Sequence, residues 1–543
     1  MPTSVRRVDL LAFTELKGFS PFFHAYCYDF EQLAPFFDGN FRDSRAQQEK
    51  VQQVHSASRP RQELVRILLR QQAVWGMDEP TRINIEALGE PHTLAVVTGQ
   101  QIGLFGGPLY TLYKAITTVQ LAHTFSRQLQ QPVVPIFWLE DEDHDFEEIA
   151  STYILHQHEP LKLSYRPSEL PANPGPVGRL RIEPHIEDLY TQLHTIWGDR
   201  IDDLLDQLRQ CYQPGTTLRD AFARWLKKLL PETGLVFLSP DDAEIKQLCR
   251  PLFRKALEDE DTLYAHLEKT SRQLASTFHA QVAPRKTNFF LLTPRGRYAL
   301  QRENGTYRLK GTTERLTRDE LFRLLEKHPE QFSPNVIMRP LMQDYLLPTF
   351  MYVAGPSEIA YFAQFKPLYR HLGIPMPLVY PRASATMIEA PVQRILEKYD
   401  IEFPELQGDV EALYRHLIVE RYGANIEQAF TRTDQQIRRA LDELLPLLST
   451  LDPTLLPAAK ATQKRVFKEL EKLKNKAIRA EKQKHQEVLQ QLQRAQYHLF
   501  PLGKLQERVL SPLYFLSAVG FDFSTMLRDT LSTETCMHQL VYL

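Results

Sequence analysis

Between Thr93 and Glu148 two apolar runs flank a glycine-rich turn into a helix, and the rest of the chain is read around this stretch. Leu94-Ala95-Val96-Val97 predicts a buried strand, and Thr98 to Pro108 predicts a loop carrying Gly99, Gly103, Gly106 and Gly107. Leu109, Leu112, Tyr113 and Ile116 then follow at helical spacing, with Pro108 suited to the first helical position because its missing N–H would be unpaired there. The second run, Pro132 to Leu139, is rich in β-branched and aromatic residues and predicts another buried strand. It ends in Glu140-Asp141-Glu142-Asp143-His144-Asp145. In an open α/β sheet ligands bind beyond the carboxyl ends of strands, so both loops are candidate walls of one site. N–H groups around Gly103, Gly106 and Gly107, at a helix N-terminus, would favour an anion. The plain alternatives are a packed tight turn for the glycine loop and a solvated charged turn for the acidic run. The loop is neither a G-x-G-x-x-G fingerprint nor a Walker A loop.

The strand–turn–helix pattern recurs. Gly234 to Leu238 predicts a strand, Ser239 before Pro240 a helix cap, and Ala243 to Leu257 a helix. Asn335 to Pro340 predicts a strand, as does Thr349 to Ala354, whose end Gly355-Pro356-Ser357-Glu358 opens a helix from Ile359 to Tyr369. Met376 to Ser384 supplies a further strand end bearing Arg382. Prolines between Tyr165 and Arg181 point to an irregular insertion, and Thr287 to Leu309 alternates with period two around Asn304-Gly305, a type I′ hairpin turn. The aromatic-rich stretch Phe19 to Phe37 reads as an N-terminal arm packed on the core, and Arg61 to Trp75 as a helix.

Beyond Ala390 the chain turns helical, polar and poor in glycine. Asp452-Pro453 caps a long helix whose Val466, Leu470, Leu473 and Ala477 step by four and three, a spacing resumed at Val488, Leu492, Ala495 and Leu499. This is a coiled-coil seam with one slip, assigned to dimerisation, and Ile437, Leu441, Leu444 and Leu448 offer an antiparallel partner. The basic face from Lys460 through Lys482 and Lys484 reads as solvated, because no aromatics interleave for base stacking. The expected fold is α/β: a Rossmann-like parallel-sheet core over residues 1–390 with inserted connecting subdomains near 155–232 and 260–330. A helical coiled coil over 391–500 and a segment over 501–543 that returns to the core complete it.

A net charge of −2 and 43% hydrophobic residues describe a globular protein with no pull toward nucleic acid. No apolar run spans a bilayer and Met1 to Leu11 lacks a secretory core, so a cytoplasmic protein is expected. Cys27, Cys211, Cys249 and Cys536 are scattered, which supports neither a zinc knuckle nor a disulfide framework.

The motifs Thr98-Gly-Gln-Gln-Ile-Gly-Leu-Phe-Gly-Gly-Pro-Leu-Tyr, Phe137-Trp-Leu-Glu-Asp-Glu-Asp-His-Asp-Phe-Glu-Glu-Ile, Leu341-Met-Gln-Asp-Tyr-Leu-Leu-Pro-Thr, Gly355-Pro-Ser-Glu-Ile-Ala-Tyr-Phe-Ala-Gln and Lys504-Leu-Gln-Glu-Arg span nearly the whole chain. Together they resemble the bacillithiol-synthesis cysteine ligases, BshC. The resemblance implies a Rossmann-type core, a coiled coil that pairs two chains into a homodimer, and amide formation between the carboxyl of cysteine and the amine of glucosaminyl-malate. Joining a free carboxylate to an amine requires activation, for which ATP, with Mg²⁺, is the expected cofactor. The product's thiol comes from the substrate, so no protein cysteine need be catalytic.

For that chemistry His144, Asp143, Asp145 and Gln101 are the candidate catalytic residues: the acidic loop would bind the amine, help deprotonate it, or hold Mg²⁺. Gln100, Gly103, Gly106, Gly107, Lys114, Glu358 and Tyr361 are the candidate substrate-binding residues, and Arg382, Ser384, Lys504 and Arg508 a candidate nucleotide subsite. No H-x-G-H or K-M-S-K-S sequence is present, which disfavours tRNA charging. The competing reading is a non-enzymatic nucleotide-binding scaffold or sensor acting through its coiled coil.

Overall fold

A computed structural model describes residues 5–422 and 426–543, without the side chains of 418–428, 478 and 480–485, so the expected solvated lysines 482 and 484 lie outside the described side chains. The chain forms two compact units, one of Met1–Glu389 with Lys504–Leu543 and one of Ala390–Gly503.

The core of the first unit is a five-stranded parallel sheet. Its strands are β1 (Leu94–Gln101), β2 (Val133–Glu140), β3 (Val236–Leu238), β4 (Thr349–Ala354) and β5 (Leu378–Pro381), in the order β5-β4-β1-β2-β3. Strands are added outward in both directions from β1, so the order reverses between β1 and β4. Val97 pairs with Tyr352 on one side of β1, and Gln101 pairs with Glu140 on the other. The apolar runs are continuous rather than alternating because both faces of this sheet are covered. Helix α1 (Leu109–Leu129) covers one of them, burying Leu112, Ile116 and Val119 at about 1.5–3 kcal/mol per large side chain.

Several expected boundaries shift for local reasons. Pro108 is extended and caps α1 from outside, so the helix starts at Leu109. Asp242, not Ser239, caps the helix Ala243–Glu258, accepting from the N–H groups of Glu244 and Ile245; the Ser239 hydroxyl is drawn instead to Asp141. The expected strand at Asn335–Pro340 is absent. The Asn335 side chain accepts from the N–H groups of Ile337 and Met338 and turns the chain into helix α2 (Met338–Leu346), overriding the β-branched pattern. After β4 the helix is short, α3 (Pro356–Phe362), and a second helix, Lys366–Leu372, follows it.

The second insertion is an antiparallel sheet of residues 289–334, in which Asn304 (φ 48°) and Gly305 (φ 79°) make the expected two-residue turn between Gly296–Glu303 and Thr306–Leu309. A three-stranded sheet closes the unit. His538–Tyr542 lies in its middle, antiparallel to Arg7–Leu11 and parallel to Ser384–Ile388.

In the second unit, Ile426–Leu451 and Leu455–Leu499 form an antiparallel hairpin in which the Arg438 guanidinium lies 4.4 Å from the Phe467 ring centroid and Gln463 donates to Asp442 at 3.2 Å. The seam therefore finds its partner within the chain. Its register also differs from the expected one: Leu470 and Ala477 are half-buried, whereas Val466, Leu473 and Leu444 are 36%, 57% and 49% exposed. Val488, Leu492, Ala495 and Leu499 are buried, beside the helices Ala390–Tyr399 and Val410–Tyr422. Among the described residues no helix is long and apolar enough to cross a membrane.

Candidate active site

A cleft of about 640 Å³ opens at the carboxyl ends of β1, β2 and β4, where the strand order reverses. Its floor is a network of paired ions. Lys114, buried on α1, donates to the Gly99 carbonyl at 2.8 Å and the Gln100 side chain at 3.0 Å and pairs with Glu358. Glu358 in turn accepts from the Gly355 N–H at 2.8 Å and the Tyr352 hydroxyl at 2.7 Å. Burial alone would raise the Glu358 carboxyl, but the Lys114 charge overcomes it and holds the group below its usual range. Arg339 on α2 pairs with Glu140 at 3.0 Å and donates to the Tyr361 hydroxyl at 2.9 Å. Burial pushes the Glu140 carboxyl up against the opposing pull of Arg339.

The acidic run divides by depth. Asp141 is fully buried: its Oδ2 accepts from the Ser239 hydroxyl at 2.5 Å, and its Oδ1 has no partner. Burial first, and then the neighbouring charge of Asp241, push its pKa up to about 8. Glu142 pairs with the buried Lys246. Asp143 and His144 stand at the rim, where Arg297 reaches both, at 3.1 Å from Asp143 Oδ1 and 3.0 Å from His144 Nδ1. The Arg297 guanidinium is fixed by Ser333 Oγ (3.0 Å), the Pro334 carbonyl (3.1 Å) and the Phe290 ring, 3.7 Å below it. Burial works to raise the Asp143 carboxyl, yet its hydrogen bond with His144 and the Arg297 charge hold it well below the usual carboxylate range. Gln101 donates to Asp143 at 3.2 Å and to Glu148 at 2.6 Å, tying β1 to the rim.

Gln100, Gln101, Lys114, Asp143, His144, Glu358, Tyr361, Arg382 and Arg508 all line this cleft. Gly103, Gly106 and Gly107 do not, and their N–H groups donate to the carbonyls of Gln101, Gly103 and Leu104. Gly106 and Gly107 adopt positive φ to fold the turn under α1, with Gly106 against Trp225. The glycine loop is thus a packed support and not an anion hole, because its donors are already satisfied. Asp145 is exposed and lies outside the cleft, as does Lys504. Ser384 is buried, its hydroxyl 3.0 Å from both Glu507 oxygens and 2.8 Å from His538 Nδ1, which makes it a structural link. Arg382 reaches the cleft but is paired with Glu507 at 2.7 Å.

In the acidic loop Asp143 is engaged by Arg297 and Gln101, and Asp145 does not line the cleft. Among the described residues the ligand types that converge are His194, Asp199 and Asp202, an exposed group outside the cleft. Arg285, Arg297, Arg339 and Glu148 were not anticipated as cleft residues. No local pattern marks them, although Arg339 follows the Asn335 cap that redirects the chain.

A parallel sheet with a cleft of mixed charge at its switch point defines a Rossmann-like protein shaped to hold small, multiply charged molecules. The family model described as "Bacillithiol biosynthesis BshC, N-terminal Rossmann-like domain" matches residues 7–383, and that of the "C-terminal coiled-coil domain" of BshC matches residues 385–543. A protein of Salinibacter ruber named "Putative cysteine ligase BshC" is 42% identical, covering 97% of both chains. One of the same name from Chlorobaculum tepidum is 33% identical over 93% of this chain and 94% of its own. The chain belongs to the BshC family.

Proposed function

We propose that the protein is the cysteine ligase of bacillithiol biosynthesis, joining the carboxyl of L-cysteine to the amine of glucosaminyl-malate after ATP-dependent activation. The observation that carries this reading is the division of the cleft: Asp143, His144 and Glu148 stand on the β2 side, suited to an amine, and Arg382 and Arg508 on the β5 side, suited to an anion. His144, held at the rim beside Asp143 Oδ1 and Arg297, takes the proton released as the amine attacks. In that step the N–C bond forms and the bond from the acyl carbon to its activating group breaks.

The cations fit a nucleotide's phosphates, whereas the start of α3 does not, because Glu358 already occupies the Gly355 N–H. Arg508, with Arg382 beside it, would hold the phosphates, and Lys114 with Gln100 would order the floor. ATP, when bound, supplies the leaving group that turns the cysteine carboxylate into an acyl donor. The exposed Leu447, Leu451 and Leu473 of the helical unit support pairing of two chains, and a cytoplasmic location fits the reaction.

Incubating the protein with cysteine, glucosaminyl-malate and Mg-ATP, and following amide and nucleotide by mass spectrometry, tests the reading. Product with AMP assigns an adenylate, and product with ADP an acyl phosphate. A folded protein that makes no product overturns it. His144→Ala is expected to abolish product while leaving the thermal melt unchanged; wild-type turnover in the variant would remove His144 from the mechanism.

A further inference from the structure

The charges of the cleft do not cancel. Glu140 is tied to Arg339, Glu142 to Lys246, Asp143 to Arg297, Glu358 to Lys114, and Arg382 to Glu507. Two guanidiniums remain, those of Arg508 and Arg285, and neither has an acceptor among the described residues. Among the described lining residues Glu148 is the carboxylate left without a cation, held by Gln101 instead, so two unpaired guanidiniums stand against one carboxylate and the balance favours an anionic ligand.

The two cations sit in different company. Arg508 acts on Tyr110 together with Arg382, on the side reached from the end of β5. Arg285 belongs to the strap of residues 276–288 between the helix Glu260–Ala275 and the strand Phe289–Thr293. That strap is irregular but fixed. The buried Gln364 accepts from the Val282 N–H at 2.8 Å and donates to the Val282 carbonyl at 2.8 Å, while also donating to Ser271 at 2.7 Å. On the far side of Arg285, Asn288 donates to the Arg285 carbonyl at 3.3 Å and accepts, through its own carbonyl, from the Asn335 N–H at 3.1 Å. The backbone is therefore held on both sides of a side chain that is itself unpaired. The strand that the strap enters carries Phe290, whose ring lies 5.7 Å from that of His144. Arg285 thus lines the cleft on the strap that leads into the strand whose Phe290 ring stands against His144.

Resting on the ligase reading above, we propose that Arg285 is a specificity-determining residue that binds the malyl carboxylates of glucosaminyl-malate. That substrate carries its amine and its two carboxylates in one small molecule, so a cation on the amine side of the cleft meets the malyl group. The guanidinium fork matches a carboxylate through two parallel hydrogen bonds, which a lysine cannot reproduce.

The test measures calorimetric binding of glucosaminyl-malate, of its malyl dimethyl ester and of ATP to the wild-type protein, Arg285→Ala and Arg285→Lys. The side chain is exposed, so both variants are expected to melt as the wild type does. Arg285→Ala should bind glucosaminyl-malate at least tenfold more weakly, bind the ester as the wild type does, and leave ATP unchanged; Arg285→Lys should fall between. Wild-type affinity for glucosaminyl-malate in Arg285→Ala, or a loss confined to ATP, overturns the assignment while turnover by the wild type keeps the ligase reading. A wild-type protein that neither binds nor converts glucosaminyl-malate removes that reading and this assignment with it.

Discussion

Replacing Asp141 by Asn isolates the most unusual ionisation in the fold. The carboxyl is wholly buried one residue past β2, with one oxygen on Ser239, the other without a partner, and Arg219 no closer than 3.7 Å. Burial, reinforced by Asp241, raises its pKa to about 8. In the unfolded chain an aspartate titrates near ~3.9. The folded core therefore binds one more proton than the unfolded chain across the window between these values. A raised folded pKa means that this group's contribution is fully present below the unfolded value and is lost as the pH rises toward 8. One proton corresponds to about 1.4 kcal/mol per pH unit, hence about 3 kcal/mol between roughly pH 5 and pH 7. Asn is isosteric with the protonated acid, keeps the oxygen that accepts from Ser239 and binds no proton. Groups distant from Asp141 contribute equally to both proteins, so the difference in slope reports Asp141 together with the Asp241 charge beside it. Urea unfolding followed by tryptophan fluorescence at several pH values reads it, because Trp75, Trp138, Trp197 and Trp225 all belong to the core unit. The wild type should lose stability relative to Asp141→Asn as the pH rises through this window. Parallel curves would refute the reasoning and show that Arg219 and Arg179 keep Asp141 ionised.

Two further substitutions probe the rim. Arg297→Met removes the cation that spans Asp143, His144, Ser333 and the Pro334 carbonyl; a loss of about 2 kcal/mol is expected, below that of a fully buried pair because water reaches Asp143, and an unchanged urea midpoint would show that the network carries no stability. Gly178→Ala places a Cβ 2.6 Å from Asp141 Cβ and 2.8 Å from the Asp141 carbonyl oxygen, contacts with a buried loop that has little room to yield. A loss of about 1–3 kcal/mol with reduced turnover is expected, and a variant as stable and active as the wild type would show that the acidic loop can shift freely.

The parts of this architecture that were legible in the sequence are those that local chemistry decides. The runs at Leu94, Val133 and Thr349 become central strands because helix-covered parallel strands must be apolar on both faces, and Asn304-Gly305 becomes its hairpin turn because both residues tolerate positive φ. The glycine loop was legible as a turn but not as a support, since whether its N–H groups face a ligand or a carbonyl is settled only by the packing against Trp225. Asn335-Val336-Ile337 carries a strand's composition, and a single side-chain cap converts it into the approach to α2 that delivers Arg339. Arg285 and Arg297 reach the rim from an insertion far along the chain; no spacing near His144 announces them. The coiled-coil hydrophobics were visible, but their register was not, because Val466 and Leu473 compete with Ala459, Phe467 and Leu470 for the same seam.

The placement of His538–Tyr542 in the middle of the closing sheet governs the order in which the molecule can be made. Translation delivers Arg7–Leu11 long before His538–Tyr542, the strand that pairs with it. Glu507, which receives Arg382 and the Ala385 N–H, arrives almost as late. The helical unit, whose contacts are nearer in sequence, is complete in the nascent chain before the core unit can close. Until then the edge of Arg7–Leu11 and the Arg382 side of the cleft stand without the strand and the carboxylate that complete them, so the Rossmann-like core is an open structure for most of its own synthesis.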